Sequence, residues 1–175
     1  GDSLPDINYS ATKANIALVF NQLAATLGPN DILYLFTTDH GSAQESNLYP
    51  YYLPMVNLVL WGEEITGEDL AVEVNKVTPK AMVGIFEQCF SGGLVETLAG
   101  TNRVVMSASR WWELSYAMGP DYLYDEFSYY VTSALADPKQ GDTNGDGIVT
   151  TEEAYLHALG RDSNQPESLD SSLDN

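Results

Sequence analysis

Apolar residues in this chain form short unbroken runs, separated by stretches with a period near 3.6. That rhythm predicts strands alternating with helices. Ile32-Leu33-Tyr34-Leu35-Phe36-Thr37 and Ala81-Met82-Val83-Gly84-Ile85-Phe86 are rich in branched and aromatic residues and bounded by Gly and polar positions, so both read as buried strands. Val56 to Trp61 and Arg103 to Ala108 read as two further strands. Ile16, Val19, Phe20, Leu23, Ala24 and Leu27 share one face of a helix over Ala14 to Leu27, with Thr12 as N-cap and Gly28-Pro29 as its stop. Thr66-Gly67-Glu68-Asp69 has the form of a capping box and opens a helix through about Val77, with Leu70, Val74 and Val77 toward the sheet. Leu94 to Leu98 gives a short helix. Phe127, Tyr130, Val131, Ala134 and Leu135 give a last amphipathic one from Asp125. Residues 1–10 read as an irregular lead-in, 42–55 as a surface loop, 62–64 as a turn and everything from Arg161 as a loosely packed polar tail.

Helix, short turn and strand in that order define an α/β protein, and the residues between the two main runs fit a parallel crossover. Ligands of such sheets bind beyond the carboxyl ends of the strands. The first run leads into Thr38-Asp39-His40-Gly41-Ser42, and the second into Glu87-Gln88-Cys89-Phe90-Ser91-Gly92-Gly93. His40 and Cys89 therefore fall at one sheet edge, as a thiol and its base require. Taken singly, a cysteine is more often a packed thiol than a nucleophile; the paired placement reverses that weighting. The helix after Gly92-Gly93 aims the positive end of its dipole near the thiol, which favours thiolate. If the third strand is parallel, Ser107-Ala108-Ser109-Arg110 reaches the same edge, and Trp111-Trp112 forms either a substrate-side wall or loop packing.

Composition narrows the partners. The 175 residues suffice for one good core. The 25 acidic and 7 basic residues leave a net charge of −18, a poor surface for nucleic acid or anionic membranes. No apolar run approaches the roughly 18 residues of a membrane span. The single cysteine excludes an internal disulfide without excluding export. The acidity suits extracellular or periplasmic surroundings and does not establish them. The opening Gly1-Asp2-Ser3 fits a trimmed or cloned start.

The two strand-end blocks resemble the legumain family of cysteine peptidases, within the caspase-like clan, and the resemblance extends over much of 9–135. It implies a caspase-like, mostly parallel sheet flanked by helices, with His40 and Cys89 as the catalytic dyad. In that family the pocket for the side chain before the cut uses an acidic residue two places before the Cys, a Ser and an Asp. The matching positions are Glu87, Ser115 and Asp125, and Ser107 lies on the same expected edge. Such domains normally begin with two more strands and a helix, which supply an Asn near the His and a basic pocket residue. The chain is therefore expected to be a fragment or processed piece, or to have its first main strand covered by a second chain or an identical subunit.

Asp142-Thr143-Asn144-Gly145-Asp146-Gly147-Ile148-Val149-Thr150-Thr151-Glu152-Glu153 matches the spacing of an EF-hand loop. Asp142, Asn144 and Asp146 take positions 1, 3 and 5; Ile148 offers its carbonyl and Glu153 closes the loop as the bidentate ligand. A helix follows through Leu159. Pro138-Lys139-Gln140-Gly141 is too short for a full entering helix, so a structural Ca²⁺ of the dockerin-like, single-loop kind is expected rather than a sensor. The organisation is then 1–137 peptidase-like, 138–160 calcium loop and helix, and 161–175 tail.

The expected activity is peptide-bond hydrolysis through an acyl-enzyme. Cys89 attacks, His40 handles the proton, and the N–H groups of Gly41 and Cys89 receive the oxyanion. No catalytic cofactor is required, and the partner is a peptide or protein substrate. The resemblance implies cleavage after Asn, with Asp accepted at lower pH; without the basic residue of the early region the same pocket, with Glu87 and Asp125, suits Lys or Arg. A silent calcium-dependent binding module, or a transpeptidase using the same acyl-enzyme, are the alternatives.

Overall fold

A computed structural model describes residues 7–44, 55–118 and 124–163, with the backbone of 167–170. The chain runs α1 (Lys13–Thr26), β1 (Ile32–Thr37), β2 (Gly41–Gln44), β3 (Met55–Val59), β4 (Glu64–Thr66), α2 (Gly67–Val74), β5 (Ala81–Phe86), α3 (Gly93–Leu98), β6 (Arg103–Ser107), β7 (Ala117–Met118), β8 (Tyr124–Asp125), α4 (Glu126–Ala136), α5 (Pro138–Gly141), α6 (Thr151–Leu159) and β9 (Glu167–Asp170). The main sheet has the order β1-β5-β6-β9. Its first three strands are parallel, with Thr37 opposite Phe86 and Phe86 opposite Ser107. This is the mixed α/β sheet flanked by helices that the apolar runs predict, in the caspase-like form that the resemblance implies.

The helices form where the sequence provides both an amphipathic face and a cap. Thr12 accepts the Asn15 N–H, and Thr66 accepts the Asp69 N–H, so α1 and α2 each start on a satisfied backbone donor. Leu70, Val74 and Val77 are all buried as expected, although α2 ends at Val74 and Val77 is carried by the following turn. One layer of core joins Phe20, Leu70, Val74, Met82, Phe86, Leu94, Leu98 and Val105 between helices and sheet. A second joins Val83, Ile85 and Met106 to Phe127, Val131 and Ala134 of α4 and to Ala154 and Ala158 of α6. Each large side chain sealed this way contributes about 1.5–3 kcal/mol relative to exposure. Leu135, expected on the inner face of α4, stays 39 % exposed, because the helix turns only Phe127, Val131 and Ala134 fully inward.

Three expectations are corrected. Residues 42–44, expected to begin a loop, belong to β2, antiparallel to β3. Glu64, expected in a turn, starts β4, so β2-β3-β4 is a small separate sheet. Neither strand has an apolar alternation strong enough to mark it. The polar tail contributes β9, antiparallel to β6 from Val104↔Asp170 to Ser107↔Glu167. Backbone pairing on a ready-made edge needs no apolar side chains, which is why the composition hid it. Residues 45–54 of the expected loop lie outside the described residues.

Among the described residues β1 has a strand neighbour on one side only. Ile32, Tyr34 and Phe36 on its outward face are 50–61 % exposed. No helix among the described residues is long and apolar enough to cross a membrane.

Candidate active site

Parallel pairing in register fixes the first relation. Thr37 lies opposite Phe86, and each chain then advances three residues, to His40 and to Cys89. Two bonds continue the match past the strands. The Glu87 N–H donates to the Thr37 carbonyl at 3.0 Å, and the Thr37 hydroxyl donates to Gln88 Oε1 at 2.9 Å. Gln88 is 1 % exposed, so this bond is an internal strut.

Both turns are tight. Asp39 has φ 105° and Phe90 φ 64°, so a non-glycine residue with positive φ directly precedes His40 and another directly follows Cys89. Such conformations cost on the order of 1–3 kcal/mol and persist only where their surroundings impose them. Here the surroundings are hydrogen bonds. Asp39 Oδ1 accepts the His40 N–H at 2.7 Å, and the Phe90 N–H donates to the Glu113 carbonyl at 2.8 Å. His40 is exposed and Cys89 is half-buried. Between them Gly41 meets Cys89 so closely that a Cβ at 41 would lie 2.2 Å from the Cys89 carbonyl oxygen. Only glycine allows this approach.

The segment after β6 closes over the thiol. The Cys89 thiol lies 3.9 Å from the Ser115 carbonyl, and the Ser115 hydroxyl lies 3.7 Å from Cys89 Sγ. Two residues further, Ala117 pairs with Asp125. The Asp125 carboxylate accepts the Thr38 hydroxyl, which returns the circuit to the His40 turn. Arg110 stacks its guanidinium over Trp112 at 5.3 Å, and the Trp111 and Trp112 rings meet edge-on at 4.9 Å. A groove of about 520 Å³ adjoins the site and is lined by Tyr9, Trp61, Phe36, Thr38, Asp39 and Gln88 among others.

The predicted pocket residues divide into two kinds. Ser115 and Asp125 are partly exposed beside Cys89 and the His40 turn. Glu87 and Ser107 are buried, at 2 % and 0 % exposure. The Glu87 carboxylate accepts the Ser128 N–H at 2.9 Å and also meets the Ser128 hydroxyl. Ser128 lies in the first turn of α4, and Asp125, the residue at the N-cap, makes no side-chain cap because Thr38 engages it. Glu87 therefore caps α4 from a neighbouring strand. Burial pushes its carboxyl up to about 8; the Ser128 hydroxyl opposes this and the Asp125 charge adds to it. Ser107 donates inward to the Ser109 carbonyl at 3.1 Å, and so forms part of the floor. Thr38, Gln88 and Ser128 complete the site, and sequence reasoning missed them. Thr38 and Gln88 stand inside the strand-end blocks, beside more reactive neighbours. Ser128 had no local signal.

The loop at 142–153 folds around its own donors. Gly145 and Gly147 have φ of 80° and 86°. Asp142 accepts the N–H groups of Gly145 and Gly147, Asn144 that of Asp146, and Asp146 that of Ile148, all at 2.7–2.9 Å. The Glu153 carboxylate accepts the N–H groups of Thr143 and Thr150 and forms a capping box with Thr150. These bonds hold its carboxyl down to about 2. The donors are hard oxygens, the right chemistry for Ca²⁺. Among the described residues, however, no three carboxylate, imidazole or thiol groups converge as a metal cluster.

A parallel sheet with Cys and His at adjacent strand ends, braced by a shared Gly contact, defines a caspase-like α/β domain. The family model for the peptidase C13 family, which are cysteine peptidases of the legumain type, matches residues 11–158, and the chain belongs to that family. In structure the chain is similar to protein GSU0716 from Geobacter sulfurreducens. The two share 13 % identity and a TM-score of 0.64, over 91 % of this chain and 73 % of the other, a likeness of fold alone. A search of curated proteins finds no match.

Proposed function

We propose that this chain is a cysteine endopeptidase in which Cys89 is the nucleophile and His40 its general acid and base. The observation that carries this is the register Thr37↔Phe86 together with the Gly41–Cys89 contact, which brings both turns to one edge. In the reaction the Cys89 sulfur adds to the scissile carbonyl, and the N–H groups of Gly41 and Cys89 receive the oxyanion. The imidazole takes the thiol proton, gives it to the leaving amine as the C–N bond breaks, and then takes one from the water that cleaves the thioester. Among the pocket candidates Ser115 meets the thiol, and Asp125 is tied to the His40 turn through Thr38. Glu87 acts behind them by holding α4, with Asp125 at its cap, against the Cys89 turn.

Cleavage after Asn is the substrate reading. A carboxylate and a hydroxyl accept the amide N–H₂ of Asn, and an ionised Asp is repelled. Fluorogenic peptides that differ only at the residue before the cut test this with the complete protein. Cys89→Ala and His40→Ala are expected to abolish turnover. Full hydrolysis by Cys89→Ala removes the mechanism, and a preference for Lys or Arg removes the Asn reading. The 142–153 loop is proposed as a structural Ca²⁺ site through Asp142, Asn144, Asp146, the Ile148 carbonyl and Glu153, with no part in the chemistry.

A further inference from the structure

The strand that continues from His40 carries a second polar cluster, which the peptide chemistry above does not use. The His40 carbonyl accepts the Val59 N–H at 3.0 Å, so the pairing of β2 with β3 reaches back to His40. Alternation along a strand then turns the side chains of His40 and Ser42 to one face, with Asn57 opposite Ser42. Gly41 and its partner Leu58 face the other way, toward the Cys89 backbone and the core. On the His40 face, the Ser42 hydroxyl donates to Glu64 Oε2 at 3.0 Å, and Asn57 Nδ2 donates to the same oxygen at 2.9 Å. Two donors on one oxygen anchor the carboxylate.

Among the described residues the remaining acceptors in this cluster have no donor. Asn57 is 4 % exposed, and its Oδ1 is buried without a hydrogen-bond partner. Its orientation is dictated by chemistry, since the opposite one would set an amide oxygen against the Glu64 carboxylate. Glu64 is exposed, and no Lys, Arg or His among the described residues pairs with it. A bare buried amide oxygen beside an unpaired carboxylate is a site short of positive donors.

We infer that Ser42, Asn57 and Glu64 form a specificity site for a cationic side chain, Lys or Arg, on the substrate residue that follows the scissile bond. This rests on the proposed roles of Cys89 and His40. His40 delivers the proton to the leaving amine, so the strand leading on from His40 flanks the leaving-group side. Ammonium and guanidinium groups are pure donors. Glu64 supplies the opposite charge, and drawing its free oxygen outward opens Asn57 Oδ1 to a second bond. An acidic residue is repelled at that position, and an apolar one leaves both acceptors bare. The net charge of −18 favours the approach of the same substrates.

The test uses the complete protein and peptides identical except for Lys, Arg, norleucine or Glu after the cut. In the native protein at low salt, kcat/KM for Lys and Arg is expected to exceed that for norleucine about tenfold, and the ratio falls as NaCl is added. Glu64→Gln is expected to collapse the ratio, and Glu64→Lys to invert it toward Glu. Cys89-dependent cleavage with the same Lys-to-norleucine ratio in native protein and Glu64→Gln overturns this inference and leaves the peptidase reading standing. If no peptide is cleaved in a Cys89-dependent way, both fall together.

Discussion

The carbonyl oxygen of Cys89 occupies the place a side chain at Gly41 would take, 2.2 Å from where its Cβ would sit. The two turns of the site are therefore seated on one another, and neither can move without the other. Gly41→Ala forces them apart. A well-packed site charges about 1–3 kcal/mol for such an insertion. Displacing reacting groups by an ångström costs about a hundredfold in rate. Both losses are expected together, in the melting curve and in Cys89-dependent peptide hydrolysis. A native-like rate in a folded Gly41→Ala protein would argue against the seating of the turns as a requirement.

Glu87 makes the fold more stable in mild acid. Its carboxyl titrates near 8 in the folded chain and near 4.5 when unfolded, so the folded state holds the proton more tightly. Its contribution is full below about pH 4.5 and is lost as pH rises through about 8, a change on the order of a few kcal/mol. Glu87→Gln, which keeps an amide where the protonated acid stood, is expected to flatten the melting temperature across that window. An unchanged slope in the variant would assign the dependence to other groups.

Asp39 holds a positive φ immediately before His40 and spends its carboxylate on the His40 N–H. Asp39→Val places a branched side chain in a region it strongly avoids, with an expected loss of about 1–3 kcal/mol. Asp39→Gly adopts the same φ freely and is expected to melt close to the native protein, while hydrolysis falls because the His40 turn loses its anchor. Denaturant titration of the two variants separates strain from lost bonding; equal stability in both would remove strain from the account.

Calcium is expected to raise the melting temperature, and the rise is expected to vanish in Asp142→Ala and Glu153→Ala. The Glu153 carboxyl, held down to about 2 by the Thr150 and Thr143 bonds, stabilises the fold above the ordinary carboxylate range and stops doing so as pH falls through about 2. Glu153→Gln is therefore expected to unfold at less acid pH than Asp142→Asn does at equal calcium. A melting curve indifferent to both calcium and chelator would confine the loop to a capping role.

Sequence alone determined the strands and helices with strong periodicity, and with them a parallel α/β sheet, because apolar faces must be buried and their spacing is local information. It also placed His40 and Cys89 at strand ends, since a parallel sheet sends every such end to one edge. Tertiary structure decided what local spacing does not encode. β9 is a polar segment recruited by the open edge of β6. Glu87 caps α4 across 41 positions of sequence, because two elements distant in the chain meet where one has an orphan N–H and the other a carboxylate. Ser42, Asn57 and Glu64 met only when β3 paired with two short strands that carry no apolar signature. In each case the deciding energy is a hydrogen bond between groups far apart in sequence. Such bonds have geometry but no period, so they become visible only once the chain is folded.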